Sequence, residues 1–332
     1  ETITVTSSNE AVATVEGTTA RHVSDGSATI TLSAPCRTLA LPLTFASQGG
    51  VTSTQFSSYV NGSAARHASD QIDTRLAGKS AASALAVYTT QDHASGIYVR
   101  NPSLWCADVD LTAVSPWNST DGVRRAGVLI SPRHVLFAAH YQPDTGATIR
   151  FIAADNTVVT RTISNKTTFP GYIPYHPDFT IGVLDSDVPA SIGFAKVLPA
   201  SYATSFPGAA AWGKVASLCF DQEEKALVQD WRGAYSLWDV TVSAVRDYCG
   251  FNTPTDAKRL EFFENKITGD SGNPAFLIIN GELVLLTVLT YGGAGAGTEL
   301  PPRIATLNSM MASLGGGYSL TEVDLSGFPT YP

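Results

Sequence analysis

Short runs with alternating apolar and polar positions open the chain, in Thr2-Ile3-Thr4-Val5-Thr6, around Ala11-Val12-Ala13-Thr14-Val15, and in Ala28-Thr29-Ile30-Thr31-Leu32. A period of two sends successive side chains to opposite faces, which is the pattern of a half-buried strand. Ser7-Ser8-Asn9 and Asp25-Gly26-Ser27 supply turns between the runs. Residues 1–46 are therefore expected to be β-rich. The next stretch, rich in Ser, Gly, Thr and Asn, reads as a connector over 47–95. Within it Ser69-Asp70 predicts a cap for an Ala-rich helix running through Leu76 to about Tyr88. From Gly96 onward short Val/Ile/Leu/Thr runs recur between Gly, Pro, Asn and Asp. That spacing is typical of an all-β sandwich or barrel, here over 96–332. The longest apolar run, Ala275-Phe276-Leu277-Ile278-Ile279, has the length of a buried strand and not of a membrane span.

Composition narrows the function classes. At 44% hydrophobic and 15% charged residues, the chain belongs with ordinary globular proteins and not with disordered ones. The formal charge is -8 and the basic residues are scattered, so a nucleic-acid partner is not expected. Cys36, Cys106, Cys219 and Cys249 form no Cys-x-x-Cys pair, which argues against a zinc site. They allow two disulfides in three connectivities, or equally four buried thiols. Low charge and abundant Ser and Thr fit an exported protein, secreted or at the cell surface, a setting that permits disulfides. No basic and apolar leader opens the chain at Glu1.

Three separated segments carry the candidate chemistry. In Gly127-Val128-Leu129-Ile130-Ser131-Pro132-Arg133-His134-Val135-Leu136-Phe137-Ala138-Ala139-His140, two strands end in a small-small-His sequence. Two alanines let an imidazole sit rigidly against backbone, as the base of a nucleophilic triad requires. In His176-Pro177-Asp178-Phe179-Thr180-Ile181-Gly182-Val183-Leu184, an aspartate precedes an apolar strand, where it can be buried and accept the second imidazole N–H. In Thr268-Gly269-Asp270-Ser271-Gly272-Asn273-Pro274, glycines flank a serine. They free the backbone to turn the Gly269 and Ser271 amides toward one point as an oxyanion hole.

The segments LISPRHVLFAAH, HPDFTIGVLD and GDSGNP resemble the His, Asp and Ser boxes of trypsin/chymotrypsin-like serine proteases. Their order is that of the family, and Asp178 follows His140 by 38 residues while Ser271 follows Asp178 by 93. The resemblance runs from about Ile97 to Leu320. It implies two consecutive antiparallel six-stranded β-barrels, with a catalytic triad of His140, Asp178 and Ser271 in the cleft between them. It further implies a polypeptide substrate and neither metal nor organic cofactor. In the run Leu285–Gly292, the match gives Thr290 and Gly292 main-chain hydrogen bonds to an extended peptide. Tyr291 becomes a wall of the specificity pocket, with Thr268 also at the substrate. The pocket base falls six residues before the nucleophile, at Asn265. An uncharged residue there predicts a neutral side chain at the cleaved position, with Glu264 entering only if the loop register shifts.

Departures from the family pattern matter too. Tyr141 stands where the family usually has Cys, and Asn273 replaces the second Gly after the serine. No basic residue followed by Ile-Val-Gly-Gly lies upstream of His140, so Asp270 needs a partner other than a newly cut amino terminus. His134 and His176 are expected at the surface. The pairs Asp108/Asp110 and Asp185/Asp187 lack the further oxygen ligands of a calcium site. The N-terminal wording SSNEAVATVEG…DGSATITLSA resembles the latter part of bacterial immunoglobulin-like repeats, a simple β-hairpin being the other reading. Competing functions are an adhesion or structural module on a silent protease fold, and an esterase. Nothing in the sequence specifies an oligomeric state.

Overall fold

Alternation becomes strand in both parts of the chain. A computed structural model describes residues 4–16, 19–24, 26–34, 37–45, 62–116, 127–172, 176–206, 214–239 and 244–330. The chain divides into two compact units, residues 1–59 and 60–332. In the first, β1 (Thr4–Ser7), β2 (Ala13–Glu16), β3 (Thr19–His22), β4 (Gly26–Ala34) and β5 (Arg37–Phe45) form a sheet of order β1-β4-β5 and a β2-β3 hairpin. Ala28 and Ile30 of β4 face a small core with Val12 and Ala13, while Ser27 is exposed. This is the alternation expected of the β-rich segment.

The second unit begins with α1 (Ala64–Leu76) and the short α2 (Ala81–Ala84), then the hairpin of β6 (Tyr88–Asp92) and β7 (Ile97–Arg100). The helix starts and ends earlier than expected. Its cap is Ser63, whose Oγ accepts from Arg66 N at 3.2 Å, and Ser69 is a buried helix residue. Ala64, Ala65, Ala68, Ile72 and Leu76 make one buried face. Gly78 follows at a φ of 73°, a left-handed conformation that ends the helix. The compact division falls at 59/60, so α1, α2 and β6 lie in the same unit as the barrels.

Two antiparallel six-stranded barrels follow, as the resemblance implied. The first is built from β8 (Val114–Ser115), β9 (Gly127–Leu129), β10 (His134–Ala138), β11 (Thr148–Ile152), β12 (Val158–Thr168) and β13 (Phe179–Leu184). Its order is β11-β12-β13-β10-β9-β8, nearly closed where β8 approaches β11. The short β14 (Lys196–Val197) leads to the second barrel. That barrel comprises β15 (Val215–Phe220), β16 (Ala226–Asp239), β17 (Ala244–Asn252), β18 (Pro274–Ile279), β19 (Glu282–Tyr291) and β20 (Ala296–Thr298). It is closed by β20 returning to β19, with β14 lying parallel along the outside of β19. A short α3 (Ala257–Glu261) precedes β18, and α4 (Ile304–Leu314) follows the barrel.

Leu136, Phe137, Phe151, Phe179 and Ile181 fill the first barrel and join one apolar cluster with Phe276 and Leu285 of the second. A separate cluster holds Trp231, Phe251, Leu277 and Val284, covered by the alanines of α1. Three of the four cysteines sit in these cores as free, buried thiols: Cys106, Cys219 and Cys249. The two-disulfide expectation therefore fails for them, and the buried-thiol alternative holds; Cys36 lies outside the described residues. The surface expectation for two histidines fails as well. His134 is fully buried on β10, with Nδ1 2.8 Å from Ser131 Oγ. His176 is 5% exposed and packs on Tyr248. Asp108 pairs with Arg75, Asp110 binds the Thr112 amide and hydroxyl, and Asp187 accepts from the Tyr318 hydroxyl, so these acids are engaged in local contacts. No helix among the described residues is long and apolar enough to cross a membrane.

One ion-pair cluster ties the helices to the second barrel. The Arg259 guanidinium donates to Asp73 of α1 at 2.7 Å and to Asp230 of β16 at 2.8 Å. Asp230 is 1% exposed, and burial raises its carboxyl above the usual range despite the arginine. Removing the cation leaves that carboxylate buried without its counter-charge, so Arg259→Ala should cost about 3–5 kcal/mol in urea unfolding. A loss below about 1 kcal/mol would mean that the pair contributes only as a surface contact does.

Candidate active site

Strand register accounts for the meeting of His140 and Asp178. β10 pairs with β13 so that Ala138 faces Phe179, and the pairing continues as Ala139 N donates to Asp178 O at 3.3 Å. One residue further, His140 N donates to Asp178 Oδ1 at 3.0 Å, and His140 Nδ1 lies 2.6 Å from Asp178 Oδ2. One carboxylate thus holds both the backbone and the ring of the same histidine. Asp178 is fully buried. Its own N–H donates to Thr298 Oγ1 on β20 of the second barrel, at 2.9 Å. Thr298 O in turn accepts from the Thr287 hydroxyl at 2.8 Å.

Ser271 comes from the loop between α3 and β18, and its Oγ lies 2.8 Å from His140 Nε2. The loop is clamped to β19, with Gly272 N donating to Leu289 O and Leu289 N to Asn273 O, each at 2.8 Å. Gly269 and Gly272 have φ values of 105° and 86°, a region that favours glycine. Asn273 does not share that region, which removes the difficulty of a side chain there. The Gly269 and Ser271 amides have no acceptor among the described residues and remain available as donors. The structure therefore brings His140, Asp178 and Ser271 into one hydrogen-bonded chain. Nδ1–H to the carboxylate leaves Nε2 as the acceptor for the serine hydroxyl, the arrangement that permits proton removal from Oγ.

The loop owes its shape to Asp270, which is 2% exposed. Its Oδ1 accepts from Gln222 N at 3.0 Å and its Oδ2 from Ile267 N at 2.8 Å. Two main-chain amides thus satisfy the carboxylate that the sequence left without a partner. Gln222 adds a hydrogen bond from Nε2 to Thr268 O at 3.1 Å.

A cleft of about 550 Å³ opens beside Ser271, lined by His140, Lys266, Thr268, Asp270, Thr290, Tyr291 and Gly292 among others. Four of the five expected substrate residues are thus gathered at one cleft. Asn265 is not among them. It is exposed, and its neighbour Lys266 lines the cleft in its place. Glu264 does not enter either, its carboxylate bonded to Lys225 Nζ at 2.8 Å. Sequence reasoning missed Thr298, Gln222 and Lys266. The first two act by contacts from distant segments that carry no local motif. Lys266 had a signal, its place five residues before the serine, but not one that gives the direction of its side chain.

Compared with models of known protein families the chain matches none, and no curated protein matches it. The reading of the site consequently rests on its own geometry.

In Asp270→Asn, one acceptor oxygen becomes an amide donor facing a main-chain N–H. That leaves a buried donor unsatisfied, so stability should fall by about 1–3 kcal/mol. The Gly269–Ser271 turn should loosen with it. Denaturant unfolding and the rate of Ser271 modification by an active-site phosphonate check both, and unchanged values would remove Asp270 from its proposed anchoring role.

Proposed function

We propose that the protein is a serine endopeptidase of the trypsin/chymotrypsin type that cleaves polypeptides through an acyl-enzyme on Ser271. The observation that carries this reading is the chain Asp178–His140–Ser271, with donor–acceptor distances of 2.6 and 2.8 Å at the two ring nitrogens. The two antiparallel barrels, compatible with a chymotrypsin-like fold, support it independently. His140 Nε2 takes the hydroxyl proton as Ser271 Oγ attacks the scissile carbonyl. The Gly269 and Ser271 amides stabilise the oxyanion of the tetrahedral intermediate. His140 then protonates the departing amine, and in the second half it deprotonates the water that releases the acid. Asp178 fixes the tautomer and stabilises the imidazolium.

Thr290 and Gly292 would hold the substrate main chain and Tyr291 would wall the pocket, with Thr268 at its rim. Because Asp270 already has two amide donors, the loop has a route to its working shape without a newly cut amino terminus. The weakly charged composition goes with an exported enzyme, secreted or held at the cell surface. No metal or organic cofactor enters this scheme.

A fluorophosphonate probe should label Ser271 alone, and Ser271→Ala should lose labelling together with about 10⁵–10⁶-fold in kcat on peptide substrates. Folded protein that fails to react would instead favour a binding or adhesion module. Turnover of simple esters with no peptide cleavage would favour an esterase.

A further inference from the structure

A buried lysine is among the residues that line the cleft. Lys266 is 3% exposed, and its Nζ has no hydrogen-bond partner among the described residues. Its backbone is pinned to the far wall, with N donating to Gly293 O at 2.6 Å and O accepting from Gly293 N at 3.1 Å. The main chain therefore commits the side chain inward. Gly295, at a φ of 96°, packs beside it: a Cβ there would approach Leu289 Cδ2 tightly at 3.1 Å and would touch Lys266 Cγ at 3.4 Å and Gln229 Oε1 at 3.5 Å. Gln229 is itself fully buried, with neither carboxamide atom partnered among the described residues.

The acids in the neighbourhood act on Lys266 through their charge and make their hydrogen bonds to other groups. Glu264 is bonded to Lys225, Asp270 to the Gln222 and Ile267 amides, and Asp221 to the Glu223 and Lys225 amides. Burial pushes the nearby Cys219 thiol up to about 12, so it is neutral near pH 7. Burial likewise pulls the Lys266 ammonium below the ordinary lysine value, against the pull of the Asp221, Asp270 and Glu264 carboxylates. An ammonium taken out of water without a hydrogen-bond partner is costly, and a carboxylate that reaches it offsets that cost while a neutral isostere leaves it in place.

We propose that this cleft selects an acidic side chain at the cleaved position, its carboxylate paired with the Lys266 ammonium. The proposal rests on the serine hydrolase reading and gives that site its substrate class. It replaces the neutral preference expected from Asn265, which is exposed and does not line the cleft.

The test uses the full chain and a set of acyl-peptide 4-nitroanilides that differ only at the cleaved residue: Glu, Gln, Asp, Asn, Leu and Lys. The expected kcat/KM for Glu over Gln, and for Asp over Asn, is higher by about 10- to 100-fold, the range for a hydrogen bond to a charged group. Lys266→Met should bring both ratios close to one, and Lys266→Arg should keep part of them. An enzyme that labels with fluorophosphonate yet cleaves Gln as fast as Glu overturns the proposal and leaves the hydrolase reading standing. Protein that neither labels nor cleaves overturns the hydrolase reading instead. Calorimetric binding of the Glu and Gln peptides to Ser271→Ala then decides for the pocket, and equal affinities would overturn it.

Discussion

The antiparallel pairing of β10 with β13 is the constraint on which the site depends. Its register sets Ala138 against Phe179, so the residues just beyond the strand ends, His140 and Asp178, meet without any further instruction. The pairing is secured by burial on both strands, since every residue of β10 and β13 is buried. A slip of one position would turn each apolar side chain to the wrong face. The cost of that slip is spread over Leu136, Phe137, Phe179 and Ile181, far more than one hydrogen bond at the site could enforce. The geometry of the histidine is therefore inherited from the core of the first barrel.

The second barrel supplies the serine and locks the aspartate. Thr298 accepts the Asp178 N–H across the barrel boundary, and the loop carrying Ser271 is clamped to β19 through Leu289. Both contacts come from strands that meet where the barrel closes, β19 and β20. Closure of that barrel and assembly of the site are thus one structural event, with Gly297 at its tightest point. A Cβ on Gly297 would lie 2.2 Å from both Thr287 Oγ1 and Val288 O, so only glycine lets the strands approach. The proposed chemistry needs fixed distances between two barrels, and this closure provides them without a disulfide among the described cysteines.

Much of this was legible in the sequence because the relevant signals are local. The three boxes carry their own turn and strand grammar, and the alternation survives in β4 as buried Ala28 and Ile30 beside half-buried Thr29 and Thr31. The elements misjudged depend on contacts between distant segments. Ser69-Asp70 is a good cap in isolation, yet the helix starts at Ser63, because Ala64, Ala65 and Ala68 find a barrel surface to bury against. His134 and His176 read as surface residues, but neighbours supply a hydroxyl for one and a tyrosine face for the other. The partner of Asp270 was invisible for the same reason, since it consists of backbone amides, which no side-chain pattern encodes.

The pocket shows how a single position decides the chemistry. Counting back from the serine reaches Asn265, and the choice between it and Lys266 turns on which residue forms the bridge to Gly293. In an extended segment neighbouring side chains point to opposite sides. Lys266 occupies the bridge and is buried, so Asn265 and Ile267 on either side of it are exposed, Ile267 at 59%. The segment places an apolar residue in solvent and a cation inside, the reverse of what transfer free energies favour. The backbone bridge and the buried Asp270, two residues before the loop clamp, together outweigh that preference. Under the proposed hydrolase reading, an anionic group on the substrate completes the pairing of a lysine that the loop holds against its own solvation close to Ser271.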